Sequence, residues 1–247
     1  MDDDERTRRG IERSLRIYYD DQRGTAAMDA LYARFVKAGA LVFDIGSHVG
    51  DRIAAFRRLG ARVVACEPNP SLVPTLRRLY GRDDMVTLEP VAVGASPSEI
   101  EMRVNTDNPT VSTASTDFVK ASQGAPGWEG QNWDKSIKVP VTTLDALIAR
   151  HGVPAFIKID VEGFEAEALA GLTQPVAALS FEFTTIQRDV ARGCVSRCEK
   201  LGYLRYNAAL GESQTLVHDD WQSGDAIVRW LDALPTEANS GDVYAVC

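Results

Sequence analysis

The chain's 247 residues suffice for one large domain, or a domain with a helical extension, and 45% apolar against 25% charged residues give it a real core. A net charge of −8 and a pI near 5.0 argue against a nucleic-acid partner, because a phosphate backbone is held by clustered Lys and Arg. No apolar stretch approaches the ~18–20 residues that span a bilayer. Residues 1–10 lack an apolar signal core, so a cytoplasmic protein without a membrane partner is expected.

The acidic run at 2–5 reads as a solvated end. Residues 5–38 read as helical. Leu15, Tyr18 and Tyr19, then Met28, Leu31, Tyr32, Phe35 and Val36, recur at helical spacing, with Gly24 as a break and Gly39 as the end. The chain thus divides into an N-terminal helical extension, 1–38, and one domain, 39–247.

From residue 40 the period changes. Residues 40–45 are a short, almost wholly apolar run that suits a strand buried on both faces. Residues 49–59 read as a helix ending at Gly60, and 63–66 as a second buried strand. Residues 71–80 read as a helix with Asn69 or Ser71 near its start and Gly81 past its end. Residues 85–93 read as a third strand. Such βαβαβ alternation predicts a doubly wound α/β domain, its parallel sheet covered on both faces.

Residues 99–104 alternate as an extra strand. The stretch 105–138 is rich in Ser, Thr, Asn, Gly and Pro, and a segment this long without period is usually functional or mobile. Beyond it the pattern predicts an extended piece at 139–142 and a helix at 143–151. A buried strand at 155–161, a helix at 165–170 stopped by Gly171, and a strand at 176–183 follow. A helix at 188–201 ends at Gly202, and tail strands lie near 204–207 and 243–246. Cys66, Cys194, Cys198 and Cys247 form no C-x-x-C pair, have no histidines at zinc spacing, and read as reduced core thiols.

The first strand runs into Asp44-Ile45-Gly46-Ser47-His48-Val49-Gly50. Gly46 lets the backbone turn sharply and a ligand come close, at the sheet end where α/β ligands sit. A dinucleotide site would need G-x-G-x-x-G with helix amides around a pyrophosphate. Here Asp44 leads the turn, and its charge favours a cation. S-adenosylmethionine carries an ammonium and a sulfonium and no phosphate. The second strand ends in Cys66-Glu67-Pro68-Asn69, and an acid about 20 residues past the first turn can accept both ribose hydroxyls. The plainer reading is that both acids cap helices.

These stretches, with Val91-Ala92-Val93-Gly94, Val139-Pro140-Val141-Thr142-Thr143-Leu144-Asp145 and Ile157-Lys158-Ile159-Asp160-Val161-Glu162-Gly163, resemble the FkbM family of methyltransferases across about 41–185. The resemblance implies a class I methyltransferase (Rossmann-like) fold. This is a mostly parallel seven-stranded sheet with one antiparallel strand near the C-terminus. It implies S-adenosyl-L-methionine as cofactor and suggests O-methylation of a hydroxyl on a small metabolite, such as a sugar or polyketide. The cofactor-binding candidates are Asp44, Gly46, Ser47, His48, Gly50, Glu67, Pro68, Ala92 and Asp160. His48 stands where the family commonly has Asn.

Methyl transfer is an in-line displacement, so the protein must align the acceptor oxygen, exclude water and help remove a proton. Asp160, Glu182 and His48 are the candidate catalytic residues. Asp160 could equally orient the cofactor's methionine end. Along the strand, Lys158 and Asp160 share a face, and a buried lysine needs a carboxylate, expected to be Glu182. A structural ion pair competes with catalysis for Lys158 and Glu182, as a backbone-bonded histidine does for His48. His151 precedes its strand, at the wrong end of the sheet. Asp160, Glu162, Glu182 and His48 could together hold Mg²⁺, but their spacing is no recognised metal motif, and no metal is expected. Phe118, Trp128 and Trp133 on the 105–138 segment could close over an acceptor as a lid, or tuck onto the domain.

Two other functions compete: a methyltransferase of macromolecules, and a non-catalytic cofactor-binding protein. The first is disfavoured by the absence of an N-P-P-Y-type turn, since Ile159-Asp160-Val161-Glu162 stands in its place. The second is disfavoured by the intact set of Asp44, Gly46 and Glu67. The N-terminal helices are expected either to cover the cofactor or to make a homodimer contact.

Overall fold

The computed structural model describes residues 2–247. The chain opens on α1 (Asp3–Tyr19) and α2 (Gln22–Tyr32). Their break falls at 20–21, and the expected breaker, Gly24, lies inside α2. Asp21 is the reason. Extended, it accepts from the N–H groups of Arg23 and Gly24, both at 3.0 Å, and so satisfies the orphan donors of a new helix.

The βαβαβ unit follows as β1 (Leu41–Ile45), α3 (Asp51–Arg58), β2 (Arg62–Cys66), α4 (Val73–Tyr80) and β3 (Val86–Glu89). The third strand stops before Pro90, which has no N–H for a ladder. Beyond it, β4 (Ala92–Val93) leaves for a second sheet of three strands with β5 (Ser98–Val104) and β6 (Lys135–Thr142). The segment between β5 and β6 is ordered. It holds a 3-10 turn at Pro109–Val111 and α5 (Thr116–Ser122), around a small core of Val111, Phe118 and Trp128.

The chain continues through α6 (Leu144–His151), β7 (Phe156–Ile159), α7 (Glu165–Ala170), β8 (Ala178–Thr184), α8 (Arg188–Leu201) and β9 (Arg205–Leu210). It ends on α9 (Gly224–Ala233) and β10 (Ser240–Val246). Helix α9 went unforeseen. Its signal was Ser223, whose hydroxyl accepts from Ala226 N–H, with buried Ile227 and Leu231 at i, i+4 spacing.

The main sheet has the order β3-β2-β1-β7-β8-β10-β9. Strands β3, β2, β1, β7 and β8 are parallel, and β10 runs antiparallel to both its neighbours. This is the expected seven-stranded, mostly parallel class I arrangement. From β1 the chain winds outward to β3 and then returns to β7 on the other side, so a crevice opens at the carboxyl ends of β1 and β7.

Two cores sandwich the sheet. One face packs Phe43, Ile45, Ile157, Ile159 and Phe181 against α7 and α8. The other packs Val42, Phe156 and Tyr244 against Tyr32 of α2 and Phe56 of α3. A polar row crosses that second face. Asp44 lies opposite Lys158, Lys158 opposite Ser180, and Ser180 opposite Tyr244, all fully buried. No helix among the described residues is long and apolar enough to cross a membrane.

Candidate active site

At the end of β1, Gly46 has φ +85°, and a Cβ there would overlap the carbonyl oxygen of Asp160. The glycine is therefore demanded by the neighbouring end of β7, a stricter reason than ligand approach. The N–H groups of Gly46 and Ser47 both donate to the Cys66 carbonyl, which ties this turn to β2. His48 also has a positive φ, +46°. Its N–H donates to Glu67 Oε2 at 2.8 Å, and Asn69 N–H donates to Glu67 Oε1 at 2.8 Å. Each Glu67 oxygen thus accepts one amide and keeps a lone pair for a ligand.

These turns form the floor of a cleft of about 1010 Å³, its open mouth included. Of the predicted cofactor contacts, Asp44, Gly46, Ser47, His48, Glu67, Pro68, Ala92 and Asp160 line it together. Gly50 does not. It carries φ +86° at the start of α3, packs beneath Tyr80, and its carbonyl accepts from the Tyr80 hydroxyl at 2.7 Å. Tyr18 of α1, with Pro109, Thr110, Ser112 and Ala114 of the segment after β5, closes the opposite side. The aromatics of that segment are anchors. Phe118 and Trp128 pack edge to face with ring centroids 4.9 Å apart, and Trp133 Nε1 donates to the Val111 carbonyl at 2.7 Å. His151 bonds Glu89 at 3.0 Å and does not line the cleft.

Charge is the cleft's main property. Seven carboxylates line it, from Asp44, Asp51, Glu67, Asp160, Glu162, Glu182 and Glu212, against one guanidinium, that of Arg52. Asp44 is fully buried, and neither of its oxygens has a partner. Burial raises its pKa to about 7, with nearby Asp51 adding to the rise. Burial likewise raises Glu67 to about 7 against the pull of its two amide donors. A buried carboxylate without a hydrogen bond is costly, and a cationic ligand would relieve it. The chemistry of the pair therefore suits a cationic nucleoside such as S-adenosylmethionine.

Asp160, Glu162 and Glu182 offer oxygens that all lie within 4.8 Å of one another, a grouping that could hold a metal ion. His48 is not part of it. Lys158 does not bond Glu182, as the sequence led one to expect. Its Nζ donates to Asp160 at 3.0 Å and to Asp242 of β10 at 2.6 Å. The small Ser180 stands beside it on β8, so the long side chain reaches across to the next strand. Burial opposes charge on Asp160, but Lys158, Arg52 and hydrogen bonds from Lys158 and Glu182 outweigh it and hold Asp160 below the ordinary range. Burial and the neighbouring acids push Glu162 and Glu182 well upward. Glu182 therefore carries the shared proton and donates it to Asp160.

Sequence reasoning placed Glu162 in a possible Mg²⁺ set but not among the catalytic or cofactor-binding candidates. Its φ is +55°, on a turn pinned by Glu165, which accepts from Val161 and Gly163 N–H at 3.0 and 3.2 Å. Thr113 Oγ1 donates to the Glu162 carbonyl at 2.6 Å. The Asp160-Val161-Glu162-Gly163 motif carried the signal. His48 is neutral: burial lowers it to about 4, and its Nε2 lies 3.2 Å from the Thr110 hydroxyl.

Fold and cleft together define the class I methyltransferase architecture. The family model described as "Methyltransferase FkbM domain" matches residues 44–234, and the chain belongs to that family. It is similar to the hexuronic acid methyltransferase AglP of Haloferax volcanii, 27% identical over 174 residues, which is 69% of this chain and 65% of that protein. It is also similar to an arginine N(omega)-methyltransferase of Streptomyces achromogenes, 44% identical over 73 residues, 28% of this chain and 20% of that protein. The chain thus matches less than two thirds of either relative's length. A TehB-like methyltransferase structure from Corynebacterium glutamicum superposes with a TM-score of 0.48 at 13% identity, over 95% of this chain and 92% of that one.

Proposed function

We propose that the protein transfers a methyl group from S-adenosylmethionine to a hydroxyl of a small metabolite, a sugar or similar compound, at the acidic end of the cleft. The observation that supports this most is Asp160, Glu162 and Glu182 crowded within 4.8 Å beside the Asp44 turn. The relative that acts on a hexuronic acid favours a sugar acceptor.

When bound, the cofactor supplies a methyl group on a positively charged sulfur, a carbon already activated for displacement. The chain's own residues do the rest. Asp44 holds the cationic amino-acid end and Glu67 the ribose. Tyr18 and the turn around Thr110 exclude water and orient the acceptor. Asp160, the ionised member of the trio, accepts the hydroxyl proton, and Glu182 stays hydrogen-bonded to it. Lys158 keeps Asp160 ionised and in place. His48, neutral and bonded to Thr110, positions that turn.

A second reading follows from the same trio. Three carboxylates also suit a guanidinium, which offers five N–H donors, and one relative methylates arginine. Radiolabelled cofactor would be incubated with neutral hexoses, hexuronic acids, polyols and L-arginine. Label in a hexose or hexuronic acid supports the first reading and label in arginine the second. Binding without transfer to any of them would count against both.

A further inference from the structure

Among the described residues, Arg52 is the one guanidinium lining the cleft, and no lysine lines it. Its side chain is 11% exposed. Asp51, next to it in the chain and similarly buried, pairs with one terminal nitrogen. The other donates to both oxygens of Glu212, at 3.1 and 2.9 Å. Glu212 stands on the loop between β9 and α9, its side chain is 58% exposed, and it also accepts from Gln214 Nε2 at 2.8 Å. The Arg52 Nε–H is buried and has no acceptor.

One partner of this arginine is therefore fixed and buried, the second is an exposed loop acid, and a third donor is unsatisfied. A guanidinium prefers a carboxylate that takes two of its N–H groups side by side, and a buried unmade hydrogen bond favours any ligand that completes it. The charge of Arg52 acts on Asp44, Asp160 and His48 of the cleft.

We propose that Arg52 is the cleft's carboxylate-recognition residue, and that Glu212 fills its place until a ligand carboxylate displaces it. The assignment rests on the cleft being the methyltransferase site. The carboxylate belongs either to the cofactor's amino acid or to an acidic acceptor such as a hexuronic acid.

Two ligand pairs separate these sources. S-adenosylhomocysteine carries the amino-acid carboxylate and methylthioadenosine lacks it. Glucuronate carries an acceptor carboxylate and glucose lacks it. Affinities for the nucleosides would be measured by calorimetry, and for the sugars by saturation-transfer NMR with S-adenosylhomocysteine present. Glu212→Gln, at an exposed position, should tighten the acidic member of one pair by about three- to tenfold and leave its neutral counterpart unchanged. Arg52→Gln should weaken the same acidic member by about tenfold or more. A shift confined to the nucleosides assigns the cofactor, and one confined to the sugars assigns the acceptor. If both variants bind methylthioadenosine normally and neither ratio moves, the assignment is overturned. If wild-type protein binds neither nucleoside, the methyltransferase reading fails and this assignment with it.

Discussion

At the scale of single residues, Asp44 makes the sharpest claim. Its carboxyl group is fully buried, unpartnered and raised by burial to about 7. In the ligand-free protein it keeps its proton to a higher pH than in the unfolded chain, where an aspartate titrates near 3.8. Between those values the folded state binds more protons, so Asp44 makes stability fall as pH rises from about 4 to about 7. Asp44→Asn should flatten that fall in ligand-free melting curves. A cationic ligand reverses the preference by favouring the ionised form. Cofactor affinity should therefore climb with pH up to about 7 in the wild type and lose that climb in Asp44→Asn. Glu67→Gln should weaken cofactor binding by about ten- to a hundredfold, the worth of hydrogen bonds to a charged group. Both acids were legible in the sequence because strand ends and spacing located them. What could not be read was their orientation, which the His48 and Asn69 amides impose on Glu67 through turns whose dihedrals no pattern encodes.

At the scale of elements, the repetitive parts were legible and the exceptions have local causes. Helices α7 and α8 fall where periodicity and the following glycines put them. Strands β3 and β4 were read as one because Val91-Ala92-Val93 prolongs the apolar run, and only Pro90 betrays the change of sheet. The segment after β5 was harder. Its aromatics could close as a lid or tuck onto the domain, and they tuck: Phe118 is fully buried, and Gly163 packs so closely that a Cβ on it would meet the ring. Phe118→Ala should therefore cost about 3–5 kcal/mol in denaturant unfolding, the range for a large core truncation. Function passes instead to the turn around Thr110, which α1 holds down. Arg6 pairs with Asp107 and Asp134, and Arg13 donates to the Asp107 carbonyl. Arg6→Ala should speed amide exchange across 3–19 and 107–112 with little change in melting temperature. Unchanged exchange there would mean that α1 does not clamp the turn.

At the scale of the whole molecule, the net charge of −8 and the acid-lined cleft act in one direction. S-adenosylmethionine bears a sulfonium and an ammonium against one carboxylate and is cationic, whereas the product that lacks the methyl group is neutral overall. An acidic cleft with low-dielectric walls concentrates cations at its mouth and speeds their capture, and salt screens the effect within about 10 Å at 0.1 M. The same field does little for a neutral ligand of equal size. The cleft should therefore discriminate kinetically between the methylated cofactor and its spent form. Stopped-flow association measured from 20 mM to 500 mM salt should show the cationic nucleoside slowing by about threefold or more, with the neutral one nearly flat. Equal salt slopes for the two nucleosides would mean that the seven carboxylates act only on contact, through the individual bonds they make, and not as a field.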